Sequence, residues 1–177
     1  LKLIEHPSDT EKMAKEANPV DKCCFVPALS GLGAPYFTAA VRGTIFNMSR
    51  VTGSNEIVRA ALDSIALQVN DIMDLIGKSA GISFNKLCVD GGATKNSYLM
   101  QLQSDLCRVP VEVPVNAELS GTGAAYMAAI ATGLADESIL KVNGSIALYK
   151  PRDNQEKCKD LTALWHKAVK AAIEFGA

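Results

Sequence analysis

The segment Val89-Asp90-Gly91-Gly92-Ala93-Thr94-Lys95-Asn96 sets two glycines between an apolar lead-in and a helical pattern. Glycine reaches positive φ and lets a ligand approach the backbone closely. A helix that starts after such a turn directs N–H groups at the space above it, which suits phosphate. Asn96 falls at the start of that helix, where its amide either caps the helix or bonds the edge of a base. The spacing matches neither G-x-x-x-x-G-K-[ST] nor G-x-G-x-x-G. Taken alone, it fits a structural turn as well as a nucleotide site.

A second run of small residues, SGTGAAYMAA over 120–129, opens another helix. It reads either as a second phosphate loop or as a closely packed helix face built from Gly123, Ala124, Ala125 and Ala128. Its alanine content favours packing, with Tyr126 and Met127 as core residues. The glycine-proline loop GLGAPY over 31–36 holds no G-x-S-x-G elbow, so Ser30 has no hydrolase setting. No pair of carboxylates stands out as a glycosidase pair. Five cysteines occur without C-x-x-C spacing, and Cys88 and Cys107 lie in apolar surroundings. This predicts buried, reduced thiols in a cytoplasmic protein. Two histidines, His6 and His166, exclude a histidine-rich metal site. The residues therefore nominate no catalytic group and no metal ligand. The N-x-S triplets at Asn47 and Asn143 carry no weight without a secretory signal.

These turns need elements to hold them. Residues 1–22 are polar, with Ser8 or Asp9 capping a short helix through Ala17 that Asn18-Pro19 ends. KCCFVPAL (22–29) and TIFNM (44–48) read as strands around a long loop. Over 55–77, Val58, Leu62, Ile65, Val69, Ile72 and Ile76 recur at helical spacing and predict a core-facing stripe. Arg59, Asp63, Asn70 and Asp74 fall on the other side, and Ser54 is the expected N-cap. KLCVDGG (86–92) is a strand running into the turn, followed by a helix over 96–107, a strand VEVP (111–114) and a helix over 121–132 ended by Gly133. A last amphipathic helix covers about 159–175. Strands alternating with helices predict an α/β fold with a mainly parallel sheet region. The 177 residues suit one domain, and 48% are hydrophobic, enough for a sizeable core. A net charge of −1 gives no electrostatic basis for nucleic acid or an anionic membrane, and no apolar run is long enough to span a bilayer.

In order along the chain, several segments resemble the C-terminal half of the FGGY carbohydrate kinases, and within that family the glycerol kinases. FVPALSGLGAPY (25–36) is similar to the family's strand and loop, with G-L-G-A-P-Y in the form typical of glycerol kinases; xylulose kinases have S-G-E-R-T-P there. RGTIFNMSR followed by NEIVRAALDSIA (42–66) resembles the second family signature, with Glu56, Ile57, Ala60, Leu62 and Asp63 in place. VDGGATKNSYLMQLQSDL (89–106) resembles the adenosine-binding segment. ELSGTGAAYMAA (118–129) resembles the hinge helix, and LWHKAVKAA (164–172) the final helix. The likeness runs over about 22–175 and more loosely over the first twenty residues. Four places depart from the family: Asn47 replaces a glycine, Phe37 a tryptophan, Ala39-Ala40 an Asp-Pro, and Ser120-Gly121-Thr122 a T-A-L run.

The resemblance implies an actin-like ATPase (ribonuclease H-like) domain, a mixed sheet flanked by helices, with residues 1–177 as its C-terminal nucleotide-binding domain and 1–21 a partial lead-in. It implies ATP with Mg²⁺ as cofactors and glycerol or a related polyol as substrate. Gly91, Gly92 and Ala93 would form a platform under the adenosine, and Asn96 would reach the adenine edge. The family's catalytic Asp, its phosphate-binding T-G-T segment and its polyol contacts lie before the matched region, so the chain alone is expected to be inactive. The start at Leu1 predicts a piece of a longer protein, of which a homo-oligomer is one form. Another FGGY sugar kinase, or a non-catalytic nucleotide-binding or interaction module, are the other readings.

Overall fold

The computed structural model describes residues 2–115, 119–140 and 145–176. Glu118 and Asn143 lie outside these. Helix α1 (Asp9–Glu16) ends where Ala17 turns to extended backbone ahead of Asn18-Pro19. Strands β1 (Cys24–Val26) and β2 (Thr44–Phe46) pair antiparallel. Helix α2 (Ser54–Ala80) follows. Strand β3 (Leu87–Cys88) leads through the glycine turn to α3 (Ser97–Cys107) and then β4 (Val111–Pro114). Helix α4 (Leu119–Ala131), strand β5 (Ser145–Tyr149) and helix α5 (Gln155–Gly176) complete the chain. Beta3 and β4 are parallel and β4 and β5 antiparallel, so the three-stranded sheet is mixed and its parallel part is a single pair.

The core lies between these layers, with Trp165, Val26, Val41, Leu67, Val111 and Val169 all fully buried. Helix α2 touches α1, α3, β1 and α5. A helix enclosed on so many sides cannot keep to one narrow apolar stripe. Its buried residues are Val58, Ala60, Leu62, Ala66 and Leu67 among the apolar ones, and Glu56, Asp63, Ser64, Asn70 and Asp71 among the polar ones. The expected stripe holds at Val58 and Leu62 and fails at Ile65, Ile72 and Ile76, which are 45, 38 and 43% exposed. Asp63 and Asn70, expected outside, are inside.

Each buried carboxylate of α2 is hydrogen-bonded, as burial demands. Glu56 accepts the Gly53 and Asn18 N–H groups, both at 2.7 Å, and the N-cap is Gly53, not Ser54. Asp63 accepts the Tyr98 hydroxyl at 2.6 Å. Asp71 accepts the Tyr36 hydroxyl at 2.6 Å and the Trp165 indole N–H at 2.7 Å, and its other oxygen lies 2.7 Å from His166 Nε2. The loop GLGAPY thereby becomes an anchor, carrying Tyr36 beneath α2 and α5.

One departure from the resembled pattern, Asn47, has a local explanation. Asn47 adopts φ 64°, a left-handed conformation that asparagine tolerates better than most residues, and its side chain donates to the Lys22 carbonyl at 3.1 Å. Phe37 adopts φ 47° and is exposed. Gly133, at φ 72°, ends α4 as expected. The cysteines are free, but Cys88 is exposed, against the expectation. Among the described residues no helix is long and apolar enough to cross a membrane.

Two outcomes follow for stability. Leu67→Ala is expected to cost about 2–5 kcal/mol, and Ile72→Asn less than about 0.5 kcal/mol, by urea unfolding. Burial pushes the Asp63 carboxyl up to about 6, against the opposing Tyr98 hydrogen bond and Arg59 charge. The native state thus holds this proton more tightly than the unfolded chain. Its contribution is complete below about pH 4 and is lost as pH rises through about 6. Asp63→Asn keeps an acceptor for Tyr98 and removes that slope. Relative to wild type, the variant should gain about 2–3 kcal/mol between pH 4 and 7 in unfolding titrations.

Candidate functional site

Strand pairing carries the chain to the edge of the glycine turn, where the Val89 N–H donates to the Glu112 carbonyl at 3.0 Å. Gly91 then takes φ 91° and ψ 179°, a conformation nearly confined to glycine. Gly92–Lys95 form one 3₁₀ turn. Thr94 locks it: its hydroxyl donates to the Gly91 carbonyl at 2.7 Å and its N–H to the same oxygen at 3.1 Å. The Asn96 N–H closes the turn on the Ala93 carbonyl at 3.1 Å. Gly92 and Ala93 are exposed. Nothing lies within 4 Å of where a Cβ on Gly91 or Gly92 would sit. The backbone here is closed by hydrogen bonds and open on its outer face.

The structure brings Gly91, Gly92, Ala93 and Asn96 into this one turn. Asn96 caps α3: its Oδ1 accepts the Leu99 N–H at 3.0 Å, and its Nδ2 donates to Thr10 Oγ1 at 3.1 Å. Two of the N–H groups expected to be free at the helix start, those of Ser97 and Leu99, are taken by side chains. Beside the Asn96 cap, Glu11 accepts the Ser97 N–H at 2.9 Å and the Ser97 hydroxyl at 2.6 Å. Hydrogen bonds from Lys15 and then Ser97 hold the Glu11 carboxyl down to about 2, so it is ionised at neutral pH. Lys15 neutralises this charge as an ion pair, and the two side chains together occupy the start of α3. Thr10 and Glu11 were not legible as site residues, since they act across 86 positions of sequence.

The second small-residue run behaves differently from its expected packing. Helix α4 has no buried residue among those described. Ala124, Ala125 and Ala128 are exposed, Tyr126 is only half-buried, and Met127 is 61% exposed. Among the described residues its main contacts run to the 3₁₀ turn Glu137–Leu140. A groove of about 610 Å³ lies between α2 and α5, lined by Tyr36, Asp71, Leu75, His166, Val169 and Ile173 among others. None of Gly91–Asn96 lines it. Its buried carboxylate, Asp71, is fully engaged with Tyr36, Trp165 and His166. No group of three or more His, Cys, Asp or Glu side chains placed to hold a metal occurs among the described residues.

Residues 2–132 match the model of the C-terminal domain of the FGGY family of carbohydrate kinases. The chain belongs to the FGGY family. The match takes in the first twenty residues, where the sequence likeness was looser. Among relatives of this FGGY chain, the glycerol kinase of Listeria monocytogenes is 40% identical over 177 residues, covering 99% of this chain and 36% of that protein. A Geobacillus glycerol kinase is 41% identical with the same coverage. The chain therefore spans about a third of the length of the relatives it matches. The solved structure of Plasmodium falciparum glycerol kinase with ADP superposes with a TM-score of 0.84 at 34% identity, over 97% of this chain and 35% of that one. A ligand-bound xylulose kinase of Lactobacillus acidophilus, at 23% identity and TM-score 0.79 over 96% of this chain and 36% of that one, shares the fold. That fold is the mixed α/β, actin-like ATPase domain of FGGY kinases.

The two glycines of the turn have separable roles. Gly91→Val is expected to cost about 1–3 kcal/mol, because a branched side chain must enter a strained backbone region. Gly92→Val projects into open space and should change stability by less than about 0.5 kcal/mol. Urea unfolding of both variants checks this.

Proposed function

We propose that this chain is the C-terminal, nucleotide-side domain of an ATP-dependent glycerol kinase, with residues 1–21 as the lead-in to it. The observation that supports this most strongly is the 34% identity and TM-score of 0.84 to a glycerol kinase solved with ADP. On this reading the open backbone of Gly91, Gly92 and Ala93 lies under the adenosine. Its exposure and the absence of anything within 4 Å of a Cβ at either glycine suit a flat ring system. The Glu11–Lys15 pair fills the start of α3 and takes the Ser97 N–H that a phosphate would need. Asn96 uses its oxygen for the cap and one amide hydrogen for Thr10. Its second amide hydrogen is the group we assign to the adenine edge.

Phosphoryl transfer depends on positioning the acceptor hydroxyl and on stabilising charge around the γ-phosphoryl group. The base that orients the hydroxyl and the polyol contacts are assigned to no residue of this chain. Mg²⁺, which neutralises phosphate charge in such reactions, has no cluster of carboxylates to hold it among the described residues, and we assign it to the phosphates themselves. This domain's own task is to bind and orient the nucleotide.

Titration calorimetry tests the reading. The chain should bind ADP, and Gly92→Val should weaken it at least about tenfold while melting like wild type, since a side chain there fills the nucleotide's space. Asn96→Ala should weaken ADP about fivefold, the scale of one hydrogen bond, and also melt earlier through loss of the cap. The isolated chain should turn over no glycerol with ATP and Mg²⁺. Unchanged ADP affinity in both variants would place the nucleotide elsewhere.

A further inference from the structure

The glycine turn is held from one side by Thr94 and from the other by α1. Glu11 grips both polar groups of Ser97, its N–H and its hydroxyl. Lys15 donates to the same hydroxyl at 3.0 Å and to Glu11. Thr10 takes the Asn96 amide. Residues 96 and 97 are the joint between the 3₁₀ turn and α3, and the turn is itself closed by the Thr94 and Asn96 bonds. A shift of the first turn of α3 must therefore move the backbone of Gly91–Ala93 with it.

We propose that Glu11, with Thr10, is a positioning residue for the nucleotide platform: α1 fixes the start of α3, and through the locked 3₁₀ turn it fixes the open face of Gly91–Ala93. This rests on the adenosine reading of that face. The chemistry suits the role. A carboxylate at a helix start complements the helix dipole, and charge-assisted bonds to an N–H and an O–H of one residue fix orientation as well as distance. Helix α1 does not depend on Glu11 for docking, because Ala14 is buried in the main core and Ala17 is buried just beyond the helix end. Removing the Glu11 side chain thus loosens the joint while α1 stays in place.

The test uses ADP and adenosine as probes, with calorimetry, melting and amide hydrogen exchange over 91–99. Glu11→Ala is expected to weaken ADP and adenosine by the same factor, about five- to tenfold, on the scale of one or two hydrogen bonds. Exchange should quicken at Ser97 and through the 3₁₀ turn. Glu11→Gln retains an acceptor oxygen and should recover part of the affinity. Glu16→Ala, on the exposed side of the same helix, should match wild type. In the intact kinase, KM for ATP should rise by the same factor with kcat unchanged. Thr10→Val keeps shape and removes the acceptor for Asn96 together with the bond to the Pro7 carbonyl; it should weaken ADP about two- to threefold and carries the test if Glu11→Ala does not fold. Wild-type ADP affinity in Glu11→Ala, or in Thr10→Val where that variant is used, overturns the positioning role; if Gly92→Val still abolishes binding, the adenosine reading stands. Failure of Gly92→Val to affect ADP overturns both.

Discussion

A carboxylate taken out of water must be fully hydrogen-bonded or give up its charge, and α2 buries three of them. That constraint organises the fold. Glu56 draws the end of the α1 segment and the start of α2 together through two backbone N–H groups. Asp63 reaches α3 through Tyr98. Asp71 ties the loop after β1 to α5, through Tyr36 on one and Trp165 and His166 on the other. These contacts link segments up to 95 residues apart in sequence. Apolar packing supplies most of the driving force for collapse, but it is indifferent to which helix face meets which neighbour. The buried acids are not indifferent, because each has partners in one place only.

The same feature explains where the sequence misleads. Periodicity located α2 to within a few residues and placed Val58 and Leu62 correctly. It assigned Asp63 and Asn70 to solvent because pattern rules take polarity as exposure, whereas here polarity is a tether. Strand β5 was missed because Ile146, Ala147, Leu148 and Tyr149 are all apolar, which hides the alternation: Ala147 and Tyr149 pack on the core while Ile146 and Leu148 are exposed. Short motifs fared better. Gly91 and Gly133 fall at positive φ, and Asn47 occupies a left-handed position that suits the glycine of the family pattern.

For the candidate site, the linear motif showed which residues lie together but not how their bonds are spent. Gly91 to Asn96 are contiguous, so any reading of the turn includes them. That Asn96 is occupied by Leu99 and Thr10, and that Ser97 is held by Glu11, depends on α1 folding back across the chain. A carboxylate at the helix start also changes what the site can accept. Glu11 and its partner Lys15 take up the Ser97 N–H and hydroxyl, so those groups are not offered to a ligand.

Among the described residues, strand β5 forms an edge of the three-stranded sheet, and its Ile146 and Leu148 side chains are exposed. An edge strand presents a row of unpaired amide and carbonyl groups, and a five-residue one is long enough to template another strand. Beta3, at the opposite edge, is two residues long and offers far less. Handled in isolation at high concentration, this polypeptide has a directional hazard: association would start from β5, strand against strand, and a lysine in place of Ile146 or Leu148 is where a solubilising gatekeeper belongs.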